Sequence, residues 1–296
     1  MNKEITMLLP EDIQAALNAL PKAQLEKLEE IRLRAGTGAF VNCGGGEIRL
    51  TGGMVEPRTL EQILMRASDN SLHTAMSSIA NGFITIPGGH RIGVCGTAAV
   101  SGGKVTALRE ISSLNIRVGR EVTGIAESIA DKLMRDKTFT GLLIASPPGC
   151  GKTTFLRDMI RCLSDQYSLR TGIADERFEI TGAYQGCAQF ALGEHTDFIC
   201  GCDKAEGVFM LLRSMNPQVV AMDEVYSEQD YDALEKAAGC GVRLLATVHC
   251  PGLSDINRKP RLCKLVKDGS FSHVAEISAT RGIRRYDLRK GVSGID

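Results

Sequence analysis

The feature of this sequence that most constrains its fold is the run Ser146-Pro147-Pro148-Gly149-Cys150-Gly151-Lys152-Thr153. It fits the phosphate-binding pattern G-x-x-x-x-G-K-[ST] at every fixed position except the first, where Ser146 replaces glycine. The glycines allow backbone N–H groups to turn toward phosphate oxygens, the lysine reaches the β- and γ-phosphates, and the threonine hydroxyl can ligate Mg²⁺. The run therefore predicts a P-loop that binds nucleotide through Pro148, Gly149, Cys150, Gly151, Lys152, Thr153 and Thr154.

The residues on either side of the run fit this interpretation. Residues 140–145 are a short apolar segment typical of a buried strand, and residues 152–165 carry apolar side chains at helical spacing. The alternative is a chance glycine-rich turn. The Lys-Thr pair stands where the helix would begin, which favours the P-loop.

A second segment predicts the acidic partner of a P-loop. Val219-Val220-Ala221-Met222 is apolar and is followed by Asp223 and Glu224. In a parallel sheet these carboxylates would emerge beside the P-loop, since both lie at the carboxyl ends of strands. Asp223 would hold Mg²⁺, and Glu224 would orient and polarise an attacking water. The alternative is an ordinary strand end with solvated acids.

Three further polar positions are candidates for the same site. Residues 175–179 and His249 each follow a predicted strand, at 169–175 and 242–248. Arg213 precedes the Asp223 strand, and an arginine near a γ-phosphate stabilises charge in the transition state. The alternatives are a solvated turn, a structural histidine and a surface arginine.

Composition narrows the class of protein. The chain has 296 residues, enough for two domains, and a hydrophobic fraction of 43% that supports real cores. Lys+Arg and Asp+Glu are equal at 35 each, which argues against a surface wholly devoted to nucleic acid but leaves a local basic patch open. No apolar stretch reaches the roughly 18–20 residues of a membrane span, and the first residues lack a signal-peptide layout. We therefore expect a cytosolic protein without an intrinsic membrane span.

The cysteines do not predict a metal site. There are 10, scattered along the chain, and no pair has C-x-x-C spacing. We interpret them as reduced thiols that act as small apolar side chains. Cys150 differs because it lies within the P-loop, where its modification would block nucleotide.

The pattern of predicted elements divides the chain into an α+β domain over residues 1–124 and a P-loop domain over residues 125–296. The first has predicted helices at 10–20, 23–31, 59–67 and 71–81 and strands at 30–34, 83–86, 90–94 and 114–118. The second alternates strands with helices at 125–135, 152–165, 204–215 and 228–239, which favours a mainly parallel sheet. The basic segment 281–290 is a final strand, an interaction segment or a solvated run.

Taken together, the P-loop, the acidic residues and the histidine resemble the secretion-type traffic ATPases, which drive type II and type IV secretion and pilus retraction. The resemblance implies an α/β fold with a RecA-like ATPase domain. It implies catalytic roles for Glu224, Glu179 and His249, beside the candidate Arg213, and a metal site formed by Thr153, Asp223 and Asp175. The chain departs from the pattern in having Asp223-Glu224 where many members have Gly-Glu, and in an acidic cluster spaced one residue wider.

The resemblance extends to the first domain and narrows to the stage III sporulation protein AA family. It rests on residues 80–93, 112–117, 147–158, 175–177, 204–207 and 213–217. It implies ATP and Mg²⁺ as cofactors, a homohexameric ring, and a cytoplasmic ATPase of the mother cell of an endospore-forming bacterium. Such a protein would dock peripherally on membrane-embedded partners encoded in the same operon and power a mother cell–forespore channel.

Two alternative functions stay open. One is a nucleic-acid-associated ATPase with a basic face formed by Arg117, Arg120, Arg281, Arg284 and Arg285, although the balanced net charge disfavours nucleic acid as a partner. The other is a scaffold that binds nucleotide without turnover, which the Ser146 substitution and the wide acidic cluster would fit.

Overall fold

The computed structural model describes residues 3–50, 53–68, 79, 82–135, 138–250, 253–256, 258–278, 280 and 282–288. The chain forms two compact units. Unit 1 comprises residues 1–120 together with 182–189, and unit 2 comprises residues 121–181 and 190–296. The segment 182–189 therefore leaves unit 2 in the middle of its chain and packs with unit 1: the Thr85 hydroxyl donates to the carbonyl of Ala183 (2.9 Å).

Unit 1 is a six-stranded antiparallel sheet with helices packed on it. The helices are α1 Lys3–Thr6, α2 Glu11–Asn18, α3 Lys22–Leu25 and α4 Pro57–Ala67, and the strands are β1 Leu28–Arg34, β2 Ala39–Cys43, β3 Glu47–Arg49, β4 Phe83–Ile86, β5 His90–Ser101 and β6 Lys104–Arg117. The strand order is β3-β2-β1-β6-β5-β4. The smaller α+β domain predicted at the N-terminus is confirmed as a fold.

The core of unit 1 lies on one face of this sheet, since residues 31–34 of β1 alternate between burial and partial exposure. Ile31 and Leu33 of β1 are fully buried, whereas Arg32 between them is not. They pack in one cluster with Leu17 of α2 and Leu60 of α4. The alternation sets the register, since a shift by one residue would turn this apolar set to solvent.

One helix prediction in unit 1 is wrong in its second half. The helix expected at 23–31 ends at Leu25, and β1 begins at Leu28. Ile31 lies opposite Val41 of β2 and Ile116 of β6, so this segment pairs with a strand on each side. Pairing with two strands outweighs the helical propensity of the Glu, Lys and Leu residues in this segment, because tertiary context routinely overrides propensity. The helix expected at 71–81 falls mainly outside the described residues.

Unit 2 contains the remaining elements. The helices are α5 Glu127–Leu133, α6 Lys152–Asp165, α7 Lys204–Ser214, α8 Glu228–Gly239, α9 Leu253–Ile256 and α10 Pro260–Lys267. The strands are β7 Met134–Arg135, β8 Thr138–Phe139, β9 Leu142–Ser146, β10 Thr171–Asp175, β11 Thr196–Cys200, β12 Val219–Met222, β13 Arg243–His249, β14 His273–Ile277 and β15 Ile283–Asp287.

Seven of these strands form the main sheet of unit 2, in the order β11-β10-β12-β13-β9-β14-β15. Every neighbouring pair is parallel except β14 and β15. The predicted mainly parallel sheet is therefore confirmed, and the basic tail forms its antiparallel edge strand. β11 and β14 were not predicted. β11 is a half-buried edge strand and lacks the continuous apolar run of the central strands.

Helices cover both faces of this sheet, which is why its central strands are mostly apolar. All residues of β9, β10 and β12 are buried. Leu143 and Ala145 belong to the cluster formed with α7, α8 and α10. Since neighbouring residues of a strand point to opposite faces, Leu142 and Ile144 face the other side, where α6 packs against β9. This layering places the carboxyl ends of β9, β10, β12 and β13 at one edge.

Candidate functional site

The predicted P-loop joins β9 to α6, with the geometry that the motif requires. Gly149 and Gly151 have φ angles of +74° and +94°, and a Cβ on either would point into open space. Gly151 is the N-cap of α6, which begins at Lys152. Backbone N–H groups at a helix N-terminus favour an anion, so this open loop suits a phosphate.

The departure at the first motif position has a structural reason. Ser146 is fully buried and is the last residue of β9, where its backbone lies opposite His249. It occupies extended strand backbone, which any residue adopts, so glycine is not required there. Cys150 is also buried, with its Sγ 3.6 Å from the carbonyl oxygen of Pro148. Its side chain therefore packs against the loop itself.

Lys152, His249 and Glu224 form a connected cluster. The buried Lys152 Nζ lies 3.1 Å from His249 Nδ1 and 3.8 Å from Glu224 Oε1. His249 Nε2 lies 2.7 Å from Glu224 Oε1. Because an ammonium can only donate, Nδ1 accepts from Lys152 and the imidazole proton sits on Nε2, which donates to Glu224. The histidine thus holds one oxygen of the glutamate.

Asp223 is tied to the P-loop and to β13. Its Oδ2 accepts a hydrogen bond from the Thr153 hydroxyl at 2.7 Å, and its Oδ1 accepts from the hydroxyl of Thr247 and from the N–H of Glu224 (3.0 Å). Thr247 was not predicted as a site residue. It lies two residues before His249 on the same strand, so its side chain faces the same side of the sheet, and this spacing is the signal that could have identified it.

The residues present fit a magnesium ion bound together with nucleotide. Hydroxyl and carboxylate oxygens, here those of Thr153 and Asp223, are ligands that Mg²⁺ prefers. Among the described residues there is no cluster of three or more His, Cys, Asp and Glu side chains suited to a metal. A magnesium ion here would therefore complete its coordination with phosphate oxygens and water, as Mg²⁺ usually does.

Asp175 ends β10, next to β12, and both of its carboxylate oxygens are occupied by the following loop. Oδ1 accepts from the N–H of Glu179 (2.9 Å), and Oδ2 accepts from the N–H groups of Ile180 (3.1 Å) and Thr181 (2.8 Å) and from the Thr181 hydroxyl (2.7 Å). Burial raises the pKa of this carboxyl, and the four hydrogen bonds oppose that rise. In this state Asp175 organises the loop that carries Glu179.

Glu179 and Arg177 lie with Asp223 and Glu224 along the wall of one cleft. Arg177 Nη1 is 3.8 Å from Glu224 Oε2, whereas His249 contacts the other carboxylate oxygen. Glu224 is therefore flanked by Arg177, Lys152 and His249. Arg177 was not predicted, and only its position two residues after Asp175 could have pointed to it.

Arg213 is not brought to this cluster within the described chain. It lies near the end of α7, where its side chain is 69% exposed and pairs with Glu206 of the same helix (3.3 Å). Its Nε also donates to the carbonyl of Phe209 (3.0 Å). The cluster formed by one chain thus contains Glu224 and His249, with Glu179 on the adjoining wall, but not Arg213.

This arrangement defines a class of protein: a P-loop fold with a carboxylate pair at the end of β12, which is separated from the P-loop strand β9 by β13. Solved structures support the same fold. The Legionella pneumophila ATPase DotB matches with a TM-score of 0.60 at 16% identity, covering 90% of this chain and 76% of that one. The pilus retraction motor PilT, solved with bound ADP, matches with a TM-score of 0.52 at 16% identity, covering 86% and 76%. The fold is therefore that of the RecA-like secretion ATPases.

Sequence comparison gives the family. Residues 1–283 match the family described as "Sporulation stage III, protein AA", and the chain belongs to this family. It is 37% identical over 284 residues to stage III sporulation protein AA of Bacillus subtilis strain 168, covering 94% of this chain and 92% of that one. It is also 30% identical over 178 residues to the uncharacterized protein ycf45 of Cyanidium caldarium, covering 59% and 51%. Among the described residues, no helix is both long and apolar enough to cross a membrane.

Proposed function

We propose that the protein is an ATP-hydrolysing motor of the secretion type. The observation that carries this proposal is the cluster at the P-loop, in which Lys152, His249 and Glu224 are linked and Thr153 is bonded to Asp223. A solvated strand end would not require a lysine, a histidine and two acids from three separate strand ends to meet. Their convergence supports phosphoryl chemistry rather than a structural role.

Each residue has a role in this proposal. The loop 147–151, together with Lys152 to Thr154, binds the phosphates of ATP, and Lys152 exchanges His249 for a phosphate oxygen. Thr153 and Asp223 hold Mg²⁺, which supplies charge neutralisation at the β- and γ-phosphates when bound. Glu224 accepts a proton from the attacking water, and His249 holds Glu224 in orientation.

The remaining candidates have supporting roles. Asp175 holds the loop that carries Glu179, and this loop forms one wall of the site. We also propose that Asp175 contributes to binding Mg²⁺. Glu179 adds negative charge on the same wall. Arg213 is exposed on one chain, so its catalytic role requires a neighbouring copy, as in the proposed hexameric ring.

The cellular role follows from the family. We propose that the ring works in the mother-cell cytoplasm, bound peripherally to membrane-embedded channel proteins of the same operon, and powers transport between mother cell and forespore. Membership in a sporulation family and the fold shared with DotB and PilT support this role.

The experiment is phosphate release from purified protein with Mg-ATP over a series of protein concentrations. We expect turnover that rises with concentration, as shared sites in a ring require, and a fall of about 10²–10⁴-fold in Glu224→Gln because a general base is removed. Lys152→Ala should lose nucleotide binding as well. Glu194→Gln, the same chemical change at an exposed position in unit 2, is the matched control and should keep the wild-type rate.

Other outcomes favour the alternatives. Wild-type turnover in Glu224→Gln would show that the catalytic assignment is wrong. Nucleotide binding without turnover in the wild type would favour a scaffold. Turnover that depends on single-stranded DNA and weakens steeply with salt would favour a nucleic-acid-associated ATPase.

A further inference from the structure

Lys204 is a buried cation beside the proposed catalytic glutamate that this mechanism does not use. It is the first residue of α7, and only 7% of its side chain is exposed. Its Nζ donates to the carbonyl of Glu224 at 2.6 Å and to the carbonyl of Asp223 at 3.3 Å. A lysine is seldom buried unless its charge is matched, so these contacts need explanation.

The charge of Lys204 is matched by Asp230. Asp230 Oδ2 lies 3.2 Å from Lys204 Nζ and also accepts from the N–H groups of Tyr226 (3.0 Å) and Ser227 (3.1 Å). The ammonium also lies 4.5 Å from the centre of the Tyr226 ring. Asp230 belongs to the capping box that begins α8. The lysine therefore joins the start of α7, the residues after β12 and the start of α8.

The backbone conformation of Glu224 shows why the hydrogen bond from Lys204 is needed. Its φ angle is +50°, in the left-handed region that is unfavourable for a residue with a side chain. Its N–H is fixed by Asp223 Oδ1 (3.0 Å) and Thr247 Oγ1 (2.8 Å), and its carbonyl is fixed by Lys204. With both ends of the residue held, its side chain is directed to His249. Strained backbone of this kind persists only where the surroundings impose it.

We infer that Lys204 is a positioning residue for hydrolysis: it holds the Glu224 main chain so that the carboxylate meets the attacking water. Lys204 acts through Glu224 and does not touch nucleotide. This inference rests on the proposed function, because it gives Glu224 the role of general base. It predicts an effect on the chemical step rather than on ATP binding.

The test begins with kcat and KM for ATP in Lys204→Met, which keeps the length of the side chain and removes the donor. We expect kcat to fall at least about tenfold with KM changed by less than about threefold, since displacement of a catalytic group by about 1 Å is enough for such a loss. Lys204→Arg, which keeps the charge, should recover part of kcat. Unchanged kcat in Lys204→Met would overturn the inference.

Two further variants separate positioning from loss of fold. Lys204→Met/Asp230→Asn removes both members of the buried charge pair, and Asp230→Asn alone is its control. If Lys204 only balances charge, the double variant should regain kcat together with its urea midpoint. If Lys204 positions Glu224, kcat should stay low after stability returns. Should Lys204→Met alone fail to fold, the kcat of the double variant relative to Asp230→Asn carries the test, with the same expected fall.

A double-mutant cycle distinguishes failure of this inference from failure of the proposed function. In the Glu224→Gln background, Lys204→Met should cause no further loss of turnover, because the group that it positions is already absent. An additional tenfold loss there would show that Lys204 acts elsewhere. If wild-type turnover did not depend on Glu224, the proposed function itself would fail, whatever the Lys204 variants showed.

Discussion

The two units differ most in what they bury. Among the described residues, the buried side chains of unit 1 are apolar except for His90, whereas unit 2 buries Lys152, Asp175, Lys204 and Asp223 together with further polar side chains. Burial of a charge is costly unless it is paired and hydrogen-bonded. Unit 1 therefore has an almost wholly apolar core, whereas Lys152, Asp175, Lys204 and Asp223 place buried charged groups of unit 2 at the candidate site.

The sheets explain where this difference can arise. In the antiparallel sheet of unit 1, strand ends alternate between the two edges, so no edge collects the carboxyl ends of all strands. In unit 2 the parallel strands β9, β10, β12 and β13 all end at one edge, and the P-loop, Asp175, Asp223 and His249 lie at these ends. Functional side chains from distant parts of the sequence can therefore lie close together at this edge.

The largest expected effect tests whether the two cores are separate. Leu33→Ala in unit 1 and Leu143→Ala in unit 2 each remove a fully buried leucine side chain and should each cost about 2–5 kcal/mol of unfolding free energy. Thermal or urea unfolding should show that each variant lowers the midpoint of a different transition. ATP at 100 times its Kd should raise the unfolding free energy of the unit 2 transition alone, by about 2.7 kcal/mol. A single transition lowered by both changes would mean that the units unfold together.

A smaller effect tests the cost of polar burial in unit 2. Asp175→Asn keeps one acceptor oxygen but turns an amide NH₂ toward a backbone N–H, and it should lower the stability of the unit 2 transition by about 1–3 kcal/mol. Urea unfolding measures this, with Asp197→Asn on the half-buried β11 as the matched control. Equal midpoints for the two variants would contradict the role of Asp175 in holding the loop.

The smallest effect concerns the polar exception of unit 1. His90 is fully buried, its Nδ1 accepts from the N–H of Gly119 (2.9 Å), and burial lowers its pKa below the ordinary value. The pKa of His90 is therefore lower in the folded protein than its value of about 6.5 in the unfolded chain. As pH falls below about 6.5 the unfolded state binds more protons than the folded state, so the free energy of unfolding falls.

We therefore expect unit 1 to lose stability on acidification from pH 7.5 to 5. His90→Gln should reduce the slope of the unfolding midpoint against pH. Glu4 is the charged group that opposes this shift, so Glu4→Gln should steepen the slope. Unfolding midpoints at several pH values measure both. The exposed His195 is the control, and His195→Gln should leave the slope unchanged; a slope that is equal in wild type and His90→Gln would exclude His90 as its source.

Much of unit 2 was predictable because its signals are local. A P-loop is contiguous, and its glycines and lysine have no other common use at that spacing. The helices Lys152–Asp165 and Glu228–Gly239 were predicted at their observed bounds, since amphipathic spacing and a start signal coincide. In unit 1, the segment after Leu25 was misassigned, because its strand character comes from two partners that are distant in sequence.

The sequence by itself determined the P-loop, the acids after β12, the parallel sheet and the family, since each depends on residues close together in the chain or on a match over most of its length. Only the tertiary structure decided that Thr247 and Thr153 share Asp223, that Asp175 faces its own loop, that Arg213 lies apart, and that Lys204 holds Glu224. The physical reason is that these contacts of Asp223 and Glu224 join residues 20 to 70 positions apart through sheet register and helix packing. Residue type shows what a side chain can do, and packing selects its partner.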